Sequence, residues 1–323
     1  MAQEITVGRW QGLKRSSIDG DLFTILAFDQ RGTYRRMLPE NTTYETAVDI
    51  KREVVTALSP HASAVLLDTD YGLPSAMYLA RSSGILMALE RSGYSGDSTY
   101  RRIEFDPKWS VAKIKRMGAS AVKLLAYYHP YSGALAEEIE GVVRSVADEC
   151  HRFDLPLFLE PISYSLDATI SKESAEFAQT RPEVVRETAE RLSKTGADIL
   201  KMEFPVDAAF DSDMRSWEAA CTAVSKASVV PWVLLSAGVD FETFAEQTRI
   251  ACQSGASGFL AGRAIWKEAV TMSHTERVQF LAEKGTERLY RLSKIALENA
   301  RPWTDFYSPP RAKRTWAQDY SEF

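Results

Sequence analysis

Cysteine and histidine are scarce in this sequence, which has three Cys and four His among 323 residues. The cysteines are far apart and form no C-x-x-C motif, so neither a disulfide framework nor a Cys-rich zinc site is expected. The histidines are equally scattered, and no two of them have the spacing of metal ligands. The Ser-His-Asp signature and the G-x-S-x-G motif of hydrolases are also missing. The sequence therefore predicts a protein that uses neither a metal nor a serine nucleophile.

Long apolar runs and an excess of charge of one sign are absent too. No apolar stretch approaches the ~18 residues of a membrane span, and residues 1–10 lack the apolar core of a signal peptide. Lys and Arg number 39 and Asp and Glu 44, which gives a net charge of −5. Proteins that bind nucleic acid through its phosphates are usually strongly basic. We therefore expect a cytoplasmic protein that binds neither membranes nor nucleic acid, whereas a small anionic substrate is compatible with this charge.

Short apolar runs alternate with amphipathic stretches along most of the chain. Most runs are continuous, as in parallel strands that are buried on both faces. The predicted strands are 22–28, 64–67, 84–89, 119–126, 155–162, 197–204, 231–235 and 257–261. The predicted helices between them are 43–58, 108–117, 135–151, 182–195, 211–227 and 241–254. Eight such units predict a (β/α)8 barrel, and the rival doubly wound sheet is disfavoured because no G-x-G-x-x-G turn is present.

Two stretches fall outside this repeat. The polar and aromatic segment 93–107 is predicted to be a loop insertion after the third strand. A long amphipathic helix is predicted over 273–299, followed by a tail over 301–323 that packs on the barrel or on a partner. Since no change of composition marks a second domain, we expect residues 1–323 to form one barrel domain, with 273–323 as its C-terminal helix and tail. The sequence leaves open whether the protein forms a homo-oligomer.

Lys123 and Lys201 are the most informative residues, because each lies inside an apolar strand. Burial and a second nearby ammonium both lower the pKa of a lysine, which yields the free amine that a Schiff-base nucleophile needs. Glu160 lies on the strand between them and suits proton transfer. The alternative is a buried Lys–Glu ion pair that only supports the barrel. Spacing alone does not decide which lysine is the nucleophile.

Small residues follow the seventh and eighth strands, where barrel enzymes usually bind phosphate. Ser236 and Gly238 follow the seventh strand, and Gly262 and Arg263 follow the eighth. Backbone N–H groups and helix N-termini at such turns attract anions, and the Arg guanidinium adds a charged fork. The alternative is that the glycines only form turns and the arginine lies on the surface. Taken together, the four residues predict a phosphate site.

Polar residues at the ends of two other strands complete the candidate site. Asp29 is a candidate acid or base, or a partner of substrate hydroxyls together with Gln30; the alternative is a turn or cap residue. Arg31 is a candidate for contact with a second anionic group. Glu203 follows Lys201 on the same strand and is a further candidate for substrate binding.

Stretches along nearly the whole chain resemble, in the right order, the class I tagatose-1,6-bisphosphate aldolases, a family related to the sulfofructose-phosphate aldolases. They are AFDQRG at 27–32, LLD at 66–68, YGLP at 71–74, AVK at 121–123, LE at 159–160, DILKMEFPV at 198–206, LSAGV at 235–239 and GRAIW at 262–266.

The resemblance implies a (β/α)8 fold without metal or cofactor and a Schiff base on Lys201. It also implies Glu160 as acid and base, Lys123 as its charged neighbour, and Asp29 and Gln30 as substrate contacts. The implied 1-phosphate site is the region of Ser236, Gly238, Gly262 and Arg263. The expected reaction is the cleavage of a ketose 1,6-bisphosphate, D-tagatose 1,6-bisphosphate, to dihydroxyacetone phosphate and glyceraldehyde 3-phosphate. The alternatives are a 6-deoxy-6-sulfofructose 1-phosphate aldolase and, from another class, a regulatory barrel that binds a sugar phosphate without cleaving it.

Overall fold

The computed structural model describes residues 2–95 and 97–320, and within these ranges eight parallel strands close into a barrel. Nearly all of their residues are buried, which is why the apolar runs in the sequence are continuous. The barrel strands are β1 (Phe23–Phe28), β2 (Ala64–Leu67), β3 (Gly84–Ala88), β4 (Ala121–Tyr127), β5 (Leu157–Ile162), β6 (Ile199–Met202), β7 (Trp232–Leu235) and β8 (Gly258–Ala261).

Each barrel strand pairs with the next one in the chain, and β8 pairs with β1 to close the ring. The (β/α)8 prediction is therefore confirmed, and the open sheet is excluded. Gly258 shows how tightly the ring closes: its φ is +126°, and a Cβ at this position would lie 1.9 Å from the carbonyl oxygen of Phe23 on β1. Since all eight strands run in the same direction, their carboxyl ends share one face of the barrel.

Helices surround the barrel and alternate with its strands over most of the chain. The α-helices are α1 (Val7–Arg15), α2 (Gly32–Met37), α3 (Tyr44–Leu58), α4 (Val111–Arg116), α5 (Ala134–Arg152), α6 (Ala175–Leu192), α7 (Met214–Ala227), α8 (Phe241–Gln253), α9 (Arg263–Trp266), α10 (His274–Phe280), α11 (Thr286–Asn299) and α12 (Trp316–Asp319). Short 3-10 segments cover Ser59–His61, Leu73–Tyr78, Lys267–Thr271 and Trp303–Asp305. None of the helices in the described ranges is long and apolar enough to span a bilayer.

The predicted start of the helix over 182–195 is wrong. Ser174 caps the helix, because its side chain accepts a hydrogen bond from the backbone N–H of Phe177, and the helix begins at Ala175. Pro182 lies inside α6, where it removes one backbone hydrogen bond and leaves the rest of the helix in place. The predicted helix over 273–299 consists of α10 and α11 joined by a π-helical turn, Leu281–Gly285.

The predicted loop over 93–107 is also wrong in part, because a hairpin occupies much of it. Glu90–Ser95 pairs with Arg102–Phe105 in antiparallel orientation. The second strand of this hairpin has four residues, and none of them is buried. It therefore produces no apolar run by which the sequence could reveal it. Residue 96, at its turn, lies outside the described residues.

A buried ion pair lies at the amino-terminal ends of the barrel strands. This end is opposite the strand ends that carry the candidate site. Asp198 precedes β6 and is fully buried. Its carboxylate pairs with Arg9 and accepts a hydrogen bond from the backbone N–H of Leu157 at 2.8 Å. The Tyr307 hydroxyl, from the C-terminal tail, donates to the backbone carbonyl of Asp198 at 2.7 Å. Helix α1, two strands and the tail therefore meet at this residue.

Candidate active site

A cavity of about 1290 Å³ opens at the carboxyl ends of the barrel strands. Ten of the eleven site candidates from the sequence line it, and Gly238 packs directly behind Arg263. Parallel strands place these residues together, although they are spread over more than 230 positions of the chain.

Lys123 on β4 lies at the centre of a cluster of three carboxylates. Its ammonium donates a hydrogen bond to Glu90 Oε1 at 2.9 Å and lies 2.8 Å from Asp29 Oδ2 and 2.9 Å from Glu160 Oε2. Burial alone would lower the pKa of Lys123, but these carboxylates outweigh it and raise the pKa well above its usual value. The lowered pKa that burial and a second ammonium predict is therefore wrong for Lys123, whereas the resemblance already implies a charged Lys123.

Asp29 follows β1 and points towards both lysines. Burial would raise the pKa of its carboxyl group, but the charges of Lys123 and Lys201 hold it below its usual range. The second oxygen, Oδ1, is buried and has no hydrogen-bond partner among the described residues, and the same holds for Oε1 of Gln30. Two acceptors at the cavity wall are thus available to hydroxyl groups of a ligand.

Lys201 on β6 contacts the same cluster through one carboxylate. Its side chain is 3% exposed, and its Nζ lies 2.8 Å from Glu160 Oε1. Glu160 on β5 therefore bridges two ammonium groups, Lys201 through Oε1 and Lys123 through Oε2. This bridge exists because β4, β5 and β6 are neighbours in the barrel.

A second group of residues lies where β7 and β8 end. The hydroxyl of Ser236 accepts a hydrogen bond from the backbone N–H of Gly262 at 3.2 Å. The guanidinium of Arg263 donates to the carbonyl oxygen of Ala237 at 3.1 Å. Gly238 has a φ of +90°, and a Cβ on it would lie 2.8 Å from Cζ of Arg263. The positive φ favours glycine here, and a side chain at this position would displace the guanidinium.

The helix N-termini expected at this turn contribute less than the sequence predicts. Asp240 caps α8 with its own carboxylate, which accepts a hydrogen bond from the backbone N–H of Thr243 at 3.0 Å. Helix α9, which follows Gly262, is only four residues long. An anion at this rim would therefore depend mainly on Arg263, which is half-buried, and on the loop backbone.

Arg31 and Glu203 also line the cavity, and protein groups already engage both. Arg31 donates to the carbonyl oxygen of Glu90 at 2.9 Å. Glu203 accepts hydrogen bonds from the backbone N–H and the hydroxyl of Ser163 at 2.8 and 2.6 Å, and it pairs with Lys172. Burial would raise the pKa of Glu203, but the charges of Lys172 and Arg181 lower it below its usual value.

Sequence reasoning missed Glu90. A signal for it exists, since Glu90 directly follows the predicted strand 84–89 and so lies where barrel enzymes place catalytic residues. Lys172 has no such signal, since it lies in the loop between β5 and α6. No group of three or more His, Cys, Asp or Glu side chains is arranged to hold a metal ion in the described ranges. The three carboxylates around Lys123 enclose an ammonium instead.

Comparison with known proteins identifies the family. Residues 23–268 match the model of the DeoC/LacD family aldolases. The chain belongs to this aldolase family. The aldolase is thus an enzyme, a carbon–carbon lyase. It is 32% identical to tagatose 1,6-diphosphate aldolase 2 of Streptococcus pyogenes, over 94% of this chain and 99% of that protein. It is 34% identical to tagatose 1,6-diphosphate aldolase of Listeria monocytogenes, over 94% of this chain and 96% of that protein.

Solved structures of aldolases share the fold of this aldolase at low sequence identity. An archaeal fructose-1,6-bisphosphate aldolase, with its catalytic Lys bound to the carbinolamine intermediate, superposes with a TM-score of 0.57 at 19% identity, over 86% of this chain and 98% of that one. The fructose-bisphosphate aldolase of Plasmodium falciparum superposes with a TM-score of 0.68 at 14% identity, over 93% of this chain and 98% of that one.

Proposed function

We propose that this protein is a class I aldolase that cleaves D-tagatose 1,6-bisphosphate to dihydroxyacetone phosphate and glyceraldehyde 3-phosphate through a Schiff base on Lys201. The observation that carries the proposal is the bridge of Glu160 between Lys201 and Lys123. Three carboxylates favour the ammonium form of Lys123 and raise its pKa, which makes Lys201 the better candidate for the nucleophile. The names of the Streptococcus and Listeria relatives support the choice of substrate.

Glu160 is placed to move the protons of this reaction, because its carboxylate lies 2.8 Å from the Lys201 nitrogen. Glu160 accepts a proton from Lys201, whose nitrogen then attacks the C2 ketone. The carbinolamine takes the proton back from Glu160 and loses water, which leaves an iminium ion. Glu160 next removes the proton of the C4 hydroxyl, and the C3–C4 bond breaks as its electron pair moves into the iminium. After glyceraldehyde 3-phosphate leaves, Glu160 returns this proton to C3 of the enamine, which becomes an iminium ion again. Water then hydrolyses the iminium, which releases dihydroxyacetone phosphate and restores Lys201.

Lys123 assists without reacting, since its ammonium lies 2.9 Å from Glu160 Oε2 and holds this carboxylate in place beside Lys201. Asp29 and Gln30 accept hydrogen bonds from the sugar hydroxyls through their unpartnered oxygens. Arg263, together with the turns at Ser236, Gly238 and Gly262, binds the 1-phosphate. Arg31 and Glu203 contact the far half of the sugar. Binding at both ends orients C2 against Lys201, which lowers the barrier by positioning.

A panel of three ketose phosphates tests the proposal: D-tagatose 1,6-bisphosphate, D-fructose 1,6-bisphosphate and 6-deoxy-6-sulfofructose 1-phosphate. Released dihydroxyacetone phosphate is measured by coupled reduction. We expect the highest kcat/KM with the tagatose compound and no turnover by Lys201→Met, while the exposed Lys194→Met variant keeps wild-type activity. Preference for the sulfonated compound would overturn the choice of substrate. Binding of all three without cleavage would indicate a regulatory barrel and overturn the proposal itself.

A further inference from the structure

Lys51 is a fully buried lysine that lies outside the cavity and outside the proposed mechanism. It belongs to α3, on the outside of the strand barrel, and its side chain is 0% exposed. Faces of two aromatic rings surround its ammonium, with the ring centroids of Phe28 and Tyr34 at 4.3 and 4.9 Å. A lysine in such an environment needs partners for its charge.

All three N–H groups of this ammonium have an acceptor. Lys51 donates to the carbonyl oxygens of Phe28 at 2.8 Å and Gln30 at 3.1 Å, and it pairs with the carboxylate of Asp68. The two carbonyls belong to the residues on either side of Asp29. The ammonium therefore holds the backbone from which the Asp29 side chain reaches Lys123.

Asp68 connects the same ammonium to the end of β2. While Oδ2 pairs with Lys51, Oδ1 accepts the backbone N–H groups of Asp70 and Tyr71, each at 2.8 Å. Lys51 and Asp68 thus tie the chain after β1 to the chain after β2.

The turn after β1 has no capping side chain of its own. Helix α2 begins directly after Arg31, and the side chain of Arg31 forms no cap hydrogen bond. A turn without a local cap depends on tertiary contacts to fix its backbone. Lys51 supplies such contacts on both sides of Asp29.

We propose that Lys51 and Asp68 form a positioning pair for the active site, which fixes the turn at Asp29 and Gln30 so that both side chains stay aimed at the substrate. The pair touches neither the substrate nor the reacting atoms and acts through Asp29 and Gln30. This inference rests on the proposed function, because it assigns the pair to the retro-aldol reaction.

The test separates positioning from stability with three variants: Lys51→Met, Asp68→Asn and the double variant K51M/D68N. Borohydride reduction with dihydroxyacetone phosphate counts the sites that form the Schiff base, and turnover of D-tagatose 1,6-bisphosphate is divided by that count. We expect Lys51→Met and Asp68→Asn to lower both Tm and turnover per trapped site, the latter at least 10-fold for Lys51→Met, with KM within about 3-fold. The double variant removes both charges, so we expect it to regain Tm while its turnover stays low.

Asp198→Asn is the matched control, because Asp198 belongs to a buried ion pair at the opposite end of the barrel. It should lower Tm but keep turnover per trapped site within about 2-fold of wild type. If the double variant regains turnover together with Tm, or if Lys51→Met keeps full turnover per trapped site, the pair only stabilises the fold and the inference is wrong. A wild-type protein that forms no adduct would contradict the proposed function instead.

Discussion

Lys123→Met removes the ammonium that the carboxylates of Asp29, Glu90 and Glu160 share. In the wild-type protein the nearest oxygen of each carboxylate lies 2.8 to 2.9 Å from Lys123 Nζ. Without this charge, carboxylates about 5 Å apart repel one another by about 3 kcal/mol per pair at an effective dielectric constant of about 20. Because one pKa unit corresponds to about 1.4 kcal/mol, this repulsion places the pKa of at least one carboxyl group of the folded variant roughly 2 units above its unfolded value.

The pH dependence of stability then changes sign. In the wild-type protein the pKa of Asp29 lies below its unfolded value, so its contribution is present above the unfolded pKa and is lost only as the pH falls through the folded pKa. In the variant a carboxyl group has a folded pKa above its unfolded value. Its contribution is complete below the unfolded pKa, about 4, and is lost as the pH rises through the folded pKa.

Breaking a buried pair costs about 3 to 5 kcal/mol, so we expect Lys123→Met to lose about 4 kcal/mol of unfolding free energy at pH 7.5. The loss should narrow by about 1.4 kcal/mol at pH 5, because the shifted carboxyl group is then mostly protonated in the folded variant. Urea unfolding of the wild type and the variant at both pH values measures the loss of unfolding free energy. The double variant E90Q/K123M has one buried carboxylate fewer than Lys123→Met, so it should recover part of the lost unfolding free energy at pH 7.5. An equal loss at both pH values would refute this electrostatic account of the cluster.

Three further predictions concern the reaction. Glu160→Gln should lower kcat by about 100- to 10,000-fold, because the general acid and base is lost; steady-state kinetics with kcat within 10-fold of wild type would argue against that role. Arg263→Met should raise KM for the bisphosphate by roughly 10- to 100-fold, since a charged hydrogen bond contributes about 1.5–3 kcal/mol, while an unchanged KM would place the 1-phosphate elsewhere. Dialysis against EDTA should leave the cleavage rate unchanged, and a loss that added Zn²⁺ restores would show that the reaction needs a metal.

The barrel and its reactive pair were predictable because they follow from local signals. Continuous apolar runs mark strands that are buried on both faces, and a lysine inside such a run must point either into the barrel or against its helices. Neighbouring parallel strands then bring Lys123, Glu160 and Lys201 together. Direct sequence resemblance chose Lys201 over Lys123, and the carboxylates around Lys123 add a physical reason for that choice.

The charge state of Lys123 could not be predicted from burial and spacing, because it depends on how many carboxylates converge on one ammonium. Asp29 and Glu90 reach Lys123 from the ends of β1 and β3, and only the closed barrel shows that both side chains arrive at the same nitrogen. Lys51 was equally hidden. In the sequence it is one charged residue of an amphipathic helix, and its burial appears only when α3 packs against the ends of β1 and β2.

Reduction of the enzyme with borohydride in the presence of dihydroxyacetone phosphate, followed by peptide mapping with mass spectrometry, tests the central claim most directly. The account predicts one stable adduct, on the Lys201 nitrogen. An adduct on Lys123, or unmodified protein after complete reduction, would contradict it.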